Sequence, residues 1–220
     1  MKGKTMKHLA FAASLVAMLA LTTPAAHAQY YVGALIGGGS VGQEFSTSDR
    51  SDDAGTVAFT VLGGYELSLG ERFFVAGETY IDVVDVNISY PYEFAGLVFE
   101  DDTVWSSNIQ FGVQTLFGVK FGKAAAYGLV ASHFEYWELE EDYGYTTQNG
   151  TPAATDTASD STFAPGWQVG VGGRYMFTNN IGIRGEYRFS QVDIDVTSFG
   201  SSYETTFQTH EAGIGLTYSF

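Results

Sequence analysis

The chain has 220 residues, no cysteine, 27 glycines, 4 prolines and a formal charge of −15. The missing cysteines exclude a disulfide framework and any thiolate metal site, and the acidic balance argues against nucleic acid as a partner. A mean hydropathy of +0.01 is too low for a bundle of membrane helices, yet 3 Trp, 14 Tyr and 17 Phe are more aromatics than a soluble domain of this size ordinarily needs.

A processing segment comes first in the chain. Lys2, Lys4 and Lys7 precede an apolar run over 9–21 that only Ser14 interrupts. That run is well short of the roughly 20 residues a membrane-spanning helix needs. Thr22, Thr23 and Pro24 end it, and Ala26-His27-Ala28 has the small-x-small pattern of a signal-peptide cleavage site. Cleavage after Ala28 is expected, leaving 29–220 as a single exported domain. It removes three of the ten basic residues and no acid, taking the formal charge from −15 to −18.

Eight segments with a two-residue period follow. The first, 29–38, puts Tyr30, Val32, Ala34 and Ile36 on one face, although Tyr31 and Leu35 are also apolar. In the second, 56–67, Val57, Phe59, Val61 and Tyr65 alternate with Thr56, Ala58, Thr60 and Glu66. The third, 72–86, sets Phe73, Val75, Thr79, Ile81 and Val83 against Arg72, Glu78, Tyr80 and Asp82. The fourth, 104–121, sets Trp105, Ile109, Phe111, Val113, Phe117, Val119 and Phe121 against Asn108, Gln110, Gln114 and Lys120. The fifth, 125–137, is the least regular: Tyr127 and Leu129 share a parity with His133 and Glu135, which predicts a register-flipping bulge.

The sixth segment alternates Trp167, Val169, Val171, Tyr175 and Phe177 with Gln168, Gly170, Gly172 and Arg174. The seventh opposes Ile181, Ile183, Tyr187 and Phe189 to Arg184, Glu186 and Arg188. The eighth runs to the chain end, with Ala212, Ile214, Leu216, Tyr218 and Phe220 opposite Glu211, Gly213, Gly215, Thr217 and Ser219.

Connections alternate in length. Segments 67–71, 122–123 and 178–180 are short turns, whereas 40–55, 87–103, 138–165 and 192–205 read as long, polar, acidic loops. Short turns at one rim and long loops at the other are the plan of an outer-membrane barrel. The expected fold is therefore all-β, an eight-stranded antiparallel up-and-down transmembrane β-barrel with both termini at the periplasmic rim. Closure satisfies the backbone polar groups that lipid cannot. A soluble eight-stranded barrel would place its apolar residues inside. Here the charges lie opposite the aromatics on the third, sixth, seventh and eighth strands, which predicts a polar interior and an apolar exterior.

The stretch from Trp167 through Arg174, Asn179-Asn180 and Arg184 to Phe189 resembles the strand-turn-strand of opacity-type surface antigens and the "porin family" OmpA-like barrels. The opening Gln29-Tyr30-Tyr31-Val32-Gly33-Ala34-Leu35-Ile36-Gly37 and the glycine- and aromatic-rich last strand are similar to that family too. The resemblance implies a Gram-negative outer-membrane protein without enzymatic activity, with roles in envelope integrity, adhesion or immune exposure. It implies outer-membrane lipid, lipopolysaccharide and the barrel assembly machinery as partners, the last reading Tyr218 and Phe220 as a terminal signal. It implies no cofactor, leaves an extracellular ligand of the loops open, and suits a monomer.

The residues allow several chemistries. Arg72, Glu78, Asp82, Lys120, Arg174, Arg184, Glu186, Arg188 and Glu211 form an interior charge network, either a salt-bridged plug or the lining of a small-solute pore. Eight strands leave a lumen just wide enough for side chains, which favours the plug. His133 invites comparison with barrels that deacylate lipid A, where a His and a Ser lie two residues apart on a strand. Here that position holds Glu135, and the adjacent Ser132 faces the other way on a regular strand. His210 has Ala212 in the same place, so no catalytic residue is assigned.

Acidic clusters at Asp49, Asp52, Asp53, at Glu100, Asp101, Asp102, and at Glu138, Glu140, Glu141, Asp142 lack the order of a calcium loop, so no metal site is assigned. Beside lipopolysaccharide they could share divalent cations. Tyr30, Tyr31, Tyr65, Phe73, Phe74, Trp105, Phe121, Tyr127, Trp137, Trp167, Tyr175, Phe177, Phe189, Tyr218 and Phe220 are expected in two interfacial girdles. Tyr90, Tyr92, Tyr143 and Tyr145 remain for adhesion through the loops.

Overall fold

The computed structural model describes residues 28–45, 51–94, 97–146, 152–198 and 201–220. The expected leader lies outside them, apart from Ala28 at the start of the first strand. Eight strands follow in chain order: β1 (Ala28–Phe45), β2 (Ser51–Leu69), β3 (Phe73–Phe94), β4 (Leu97–Phe121), β5 (Ala124–Thr146), β6 (Pro152–Met176), β7 (Ile181–Ser198) and β8 (Ser201–Ser219). Each is antiparallel to its neighbour, and β1 closes on β8 from Tyr31↔Ser219 to Phe45↔Thr205. The barrel has no open edge over this section, as lipid requires. At the short-turn rim Gly70 and Gly122 take φ of 75° and 66°, a left-handed conformation that costs glycine little.

The strands are longer than their apolar alternation. They run from 18 to 25 residues and continue into most of what reads as long loops; β5 and β6 pair as far as Tyr145↔Ala154 and Thr146↔Pro152. A polar ladder pairs its backbone as well as an apolar one, so the loss of alternation marks a change of surroundings and not the end of the strand. Pairing of β2 with β3 stops at Val57↔Asp85, and of β6 with β7 at Gly166↔Val192. Beyond those points the described strands form two groups of four, β7-β8-β1-β2 and β3-β4-β5-β6.

The expected bulge in β5 is absent. Tyr127, Leu129, His133 and Glu135 all lie buried on one unbroken inner face. The bulge is in β4 instead, between Ser107 and Ile109, where it meets Trp137 and Tyr136 of β5. It turns Ser107 inward and leaves Asn108, expected inside, exposed. A second shift separates Val83 from Val86.

An apolar band encircles the barrel: Tyr30, Val32, Ile36, Phe59, Val61, Phe73, Ile81, Phe117, Val171, Ile214 and Leu216 are among its exposed side chains. On β7 it runs from Ile181 to Phe189, which at the usual strand rise and tilt spans roughly 20–25 Å, the height of a membrane barrel's lipid belt. Past it the pattern reverses. Asp85, Ser161 and His210 are exposed and Gln191 half-exposed outside, while Val41, Val86, Val192, Ile194, Phe207 and Trp137 are buried within. The wall there is arranged like a soluble barrel, polar outside and apolar inside. The expected polar interior therefore holds for only part of the lumen.

Several aromatics expected in the girdles are also inside. Tyr31, Phe74, Tyr127 and Trp137 are buried in the lumen, whereas Tyr65 pairs with outward-facing Tyr30, ring centres 5.0 Å apart, and stays on the outer face although it is covered there. Tyr30, Phe73, Phe121, Tyr175, Phe177, Tyr218 and Phe220 do face outward. The side chain of Trp105 lies outside the described residues.

Candidate functional site

The lumen is the site with the most chemistry, and its side chains stack in layers. At the short-turn mouth Glu66, buried, accepts Lys120 Nζ at 2.6 Å and also pairs with Arg174. Lys120 donates to Ser68 Oγ at 2.8 Å as well. Both cations sit over the ring of Phe74, Arg174 at 4.9 Å and Lys120 at 5.7 Å from its centre, which fixes where they point.

The middle layer is an ion-pair ladder across the barrel. Arg184 of β7 grips Glu78 of β3 with both terminal nitrogens, Nη1 at 2.5 Å and Nη2 at 2.8 Å. A guanidinium fork on a carboxylate is the strongest common pairing for these charges. Tyr31 Oη donates to the same carboxylate, as does Gln114 Nε2. Glu186 lies between two arginines: Arg184 Nε donates to it at 2.8 Å, Arg188 Nη2 at 2.8 Å, and Tyr127 Oη at 2.8 Å. Arg188 reaches on to Asp82 at 3.4 Å, and Glu211 is buried on β8 within its electrostatic reach. Charges buried this far need such partners, because an unpaired ion in the wall would cost several kcal/mol.

Close packing against glycine makes the ladder possible. A Cβ on Gly172 would meet the ring of Tyr127 at 2.5 Å, so glycine there is what lets that ring lie flat on β6 and present its hydroxyl to Glu186.

Above the ladder Ser107 donates to Glu135 at 2.8 Å, and Tyr80 donates to Gln168 at 3.5 Å. His133 is fully buried with neither ring nitrogen hydrogen-bonded among the described residues. Ser132 is on the outer face, so the two residues do not meet as a nucleophile and its base. His210 is exposed on the outer wall, its Nδ1 2.7 Å from Tyr187 Oη. Among the described residues no three His, Asp or Glu side chains are grouped to hold a metal ion. The last layer is apolar, with Trp137 and Phe207 stacked at 4.2 Å across the lumen and Val41, Val192 and Ile194 around them.

Of the nine charges expected inside, the structure brings Glu78, Asp82, Arg184, Glu186, Arg188 and Glu211 into the ladder and Lys120 and Arg174 into the mouth. Arg72 is a correction. It sits exposed in the turn before β3, where its carbonyl accepts the Lys120 amide at 2.6 Å. The strand begins one residue later than the alternation suggests, so Arg72 has no inward face. Glu66, Tyr31, Tyr127, Gln114 and Glu135 are inner residues absent from the expected network. Parity with Thr60 points to Glu66; nothing in the sequence separates Tyr31 and Tyr127 from girdle tyrosines. Tyr218 and Phe220 lie at the short-turn rim, facing outward.

Residues 11–220 match the outer membrane protein beta-barrel domain family. The chain belongs to this family. Membership places the apolar band in a bacterial outer membrane. No curated protein matches the chain. Among solved structures it is similar to a major outer membrane protein from Thermus thermophilus, at 13% identity over 88% of this chain and 99% of that one, TM-score 0.47. Ail, the attachment invasion locus protein of Yersinia pestis, is 14% identical over 86% and 98%, TM-score 0.42. Neisserial surface protein A is 12% identical over 87% and 97%, TM-score 0.42. Likeness at these identities concerns the fold alone.

Proposed function

We propose that this family member is a closed barrel without enzymatic or pore activity, which spans the outer membrane and offers its long hairpins to envelope or extracellular partners. The observation that carries the reading is the filled lumen. An ion-pair ladder from Glu78 to Asp82 is followed by the Trp137–Phe207 stack, so two different obstructions lie in series. In planar bilayers the folded protein is expected to give no steady single-channel steps in molar salt; large, regular steps from the monomer would restore the small-solute porin as the better reading.

The proposal includes export with cleavage after Ala28, recognition of Tyr218 and Phe220 by the assembly machinery, lipopolysaccharide around the band, and a monomeric state. It also sets both termini and the short turns in the periplasm and the long hairpins outside. Ser161 and Thr178 are exposed on opposite sides of the apolar band. On intact cells a membrane-impermeant thiol reagent is expected to label S161C and to spare T178C until the outer membrane is opened. Labelling in the reverse order would invert the topology. The side chains of the three acidic clusters, except Glu138, and of the loop tyrosines lie outside the described residues, so divalent-cation sharing and adhesion through them are proposals from sequence.

A further inference from the structure

We propose that the short-turn mouth is a binding site for a doubly charged phosphate group, held by Lys120, Lys123 and Arg174. A cavity of about 270 Å³ opens there, lined by these three cations together with Glu66, Thr178 and Ser219. It belongs to the mouth whichever way the barrel points; on the orientation proposed above it faces the periplasm.

Charge and geometry both single out this place. After the leader, seven basic residues remain in a strongly acidic chain, and three of them converge on one cavity. Glu66 is the single acidic side chain in its lining, which leaves an excess of two positive side-chain charges, and cleavage after Ala28 would add the α-amino group of Gln29 at the same cavity. A phosphate monoester carries close to two negative charges at neutral pH, and free phosphate does so in mildly alkaline solution, whereas a carboxylate or a phosphodiester would match only half the excess. Glu66 also has a positioning role. By taking one side of both Lys120 and Arg174 it holds them at a shared height, while Phe74 supports them from below. Both line the cavity and stay partly open to solvent, which leaves the donors not taken by Glu66 accessible to a ligand. Arg174 supplies the planar fork that suits an oxyanion. Lys123 is more loosely placed, donating to the Phe177 carbonyl at 3.3 Å on the exposed rim, and is free to swing onto a ligand.

The test uses the full barrel refolded in a non-ionic, phosphate-free detergent, titrated with inorganic phosphate by calorimetry. One saturable site is expected. K123A gives up only the exposed 3.3 Å bond to the Phe177 carbonyl and should weaken binding about tenfold, the loss of one charge-assisted contact. R174K keeps the charge but removes the fork and should weaken binding by a similar factor. Barrels in nanodiscs containing phosphatidylglycerol should bind phosphate as well as barrels in neutral lipid do. Absence of saturable heat, or affinity unchanged in both variants, overturns the site. Displacement of phosphate by phosphatidylglycerol overturns the dianion assignment in favour of a lipid headgroup.

Discussion

Arg184→Ala is expected to cost the folded barrel about 3–5 kcal/mol, the penalty for stranding buried charges. The side chain is 2% exposed and serves two carboxylates, Glu78 through its fork and Glu186 through Nε. With it gone, Glu78 keeps Tyr31 and Gln114 among the described residues, and Glu186 keeps Arg188 and Tyr127. Arg174 makes the sharper control. It pairs with one carboxylate at the mouth at 17% exposure, where water can replace it, and its loss should cost on the order of 1 kcal/mol. Urea unfolding in lipid vesicles, followed by tryptophan fluorescence, measures both. R184M combined with E78Q should recover much of the loss, because a neutral partner on β3 no longer needs the guanidinium while Glu186 keeps Arg188. If R184A cost no more than R174A, the middle layer would be hydrated and the plug reading would fall.

What was legible in the sequence follows one physical rule. Where lipid lies outside and charges lie inside, each strand alternates sharply, and β7 is clear for that reason: Ile183 and Tyr187 out, Arg184, Glu186 and Arg188 in. Past Phe189 the outside becomes water and the lumen turns apolar. Val192 and Ile194 now point in, with the half-exposed Asp193 between them, and the segment reads as a polar loop although the ladder continues to Ser198↔Ser201. The same ambiguity hides the interior tyrosines. An amphipathic ring is at home both in an interfacial girdle and in the lumen beneath a hydroxyl-accepting carboxylate. What decides for Tyr127 is Gly172 on the neighbouring strand, a cross-strand contact that needs the register to be seen. Asn108 and Arg72 escape the alternation for local reasons: Asn108 sits at the one-residue bulge of β4, where the faces of the strand are offset, and Arg72 belongs to the turn before β3 and has no strand face, while Glu78, Tyr80 and Asp82 beyond it keep the expected side.

Trp137→Ala is the second large effect, and it separates the two obstructions. The indole is 1% exposed and stacks on Phe207 with 21° between the ring planes. Truncation should cost about 3–5 kcal/mol, as other buried tryptophans do. Its neighbours on the outer wall are the half-exposed Tyr136 and Glu138, so this layer lies at or beyond the end of the apolar band. The loss combines hydrophobic packing inside a soluble-type wall with the indole's bond to Glu135, and it should be the same in thin and thick bilayers. Conductance should not appear. Removing the stack leaves the Arg184–Glu78 and Arg188–Glu186 pairs across the lumen, and two blocks in series are not opened by taking away one. W137A that conducts steadily would mean that the ion-pair ladder leaves a continuous water column beside it, and the aromatic stack alone would then be what keeps this barrel shut.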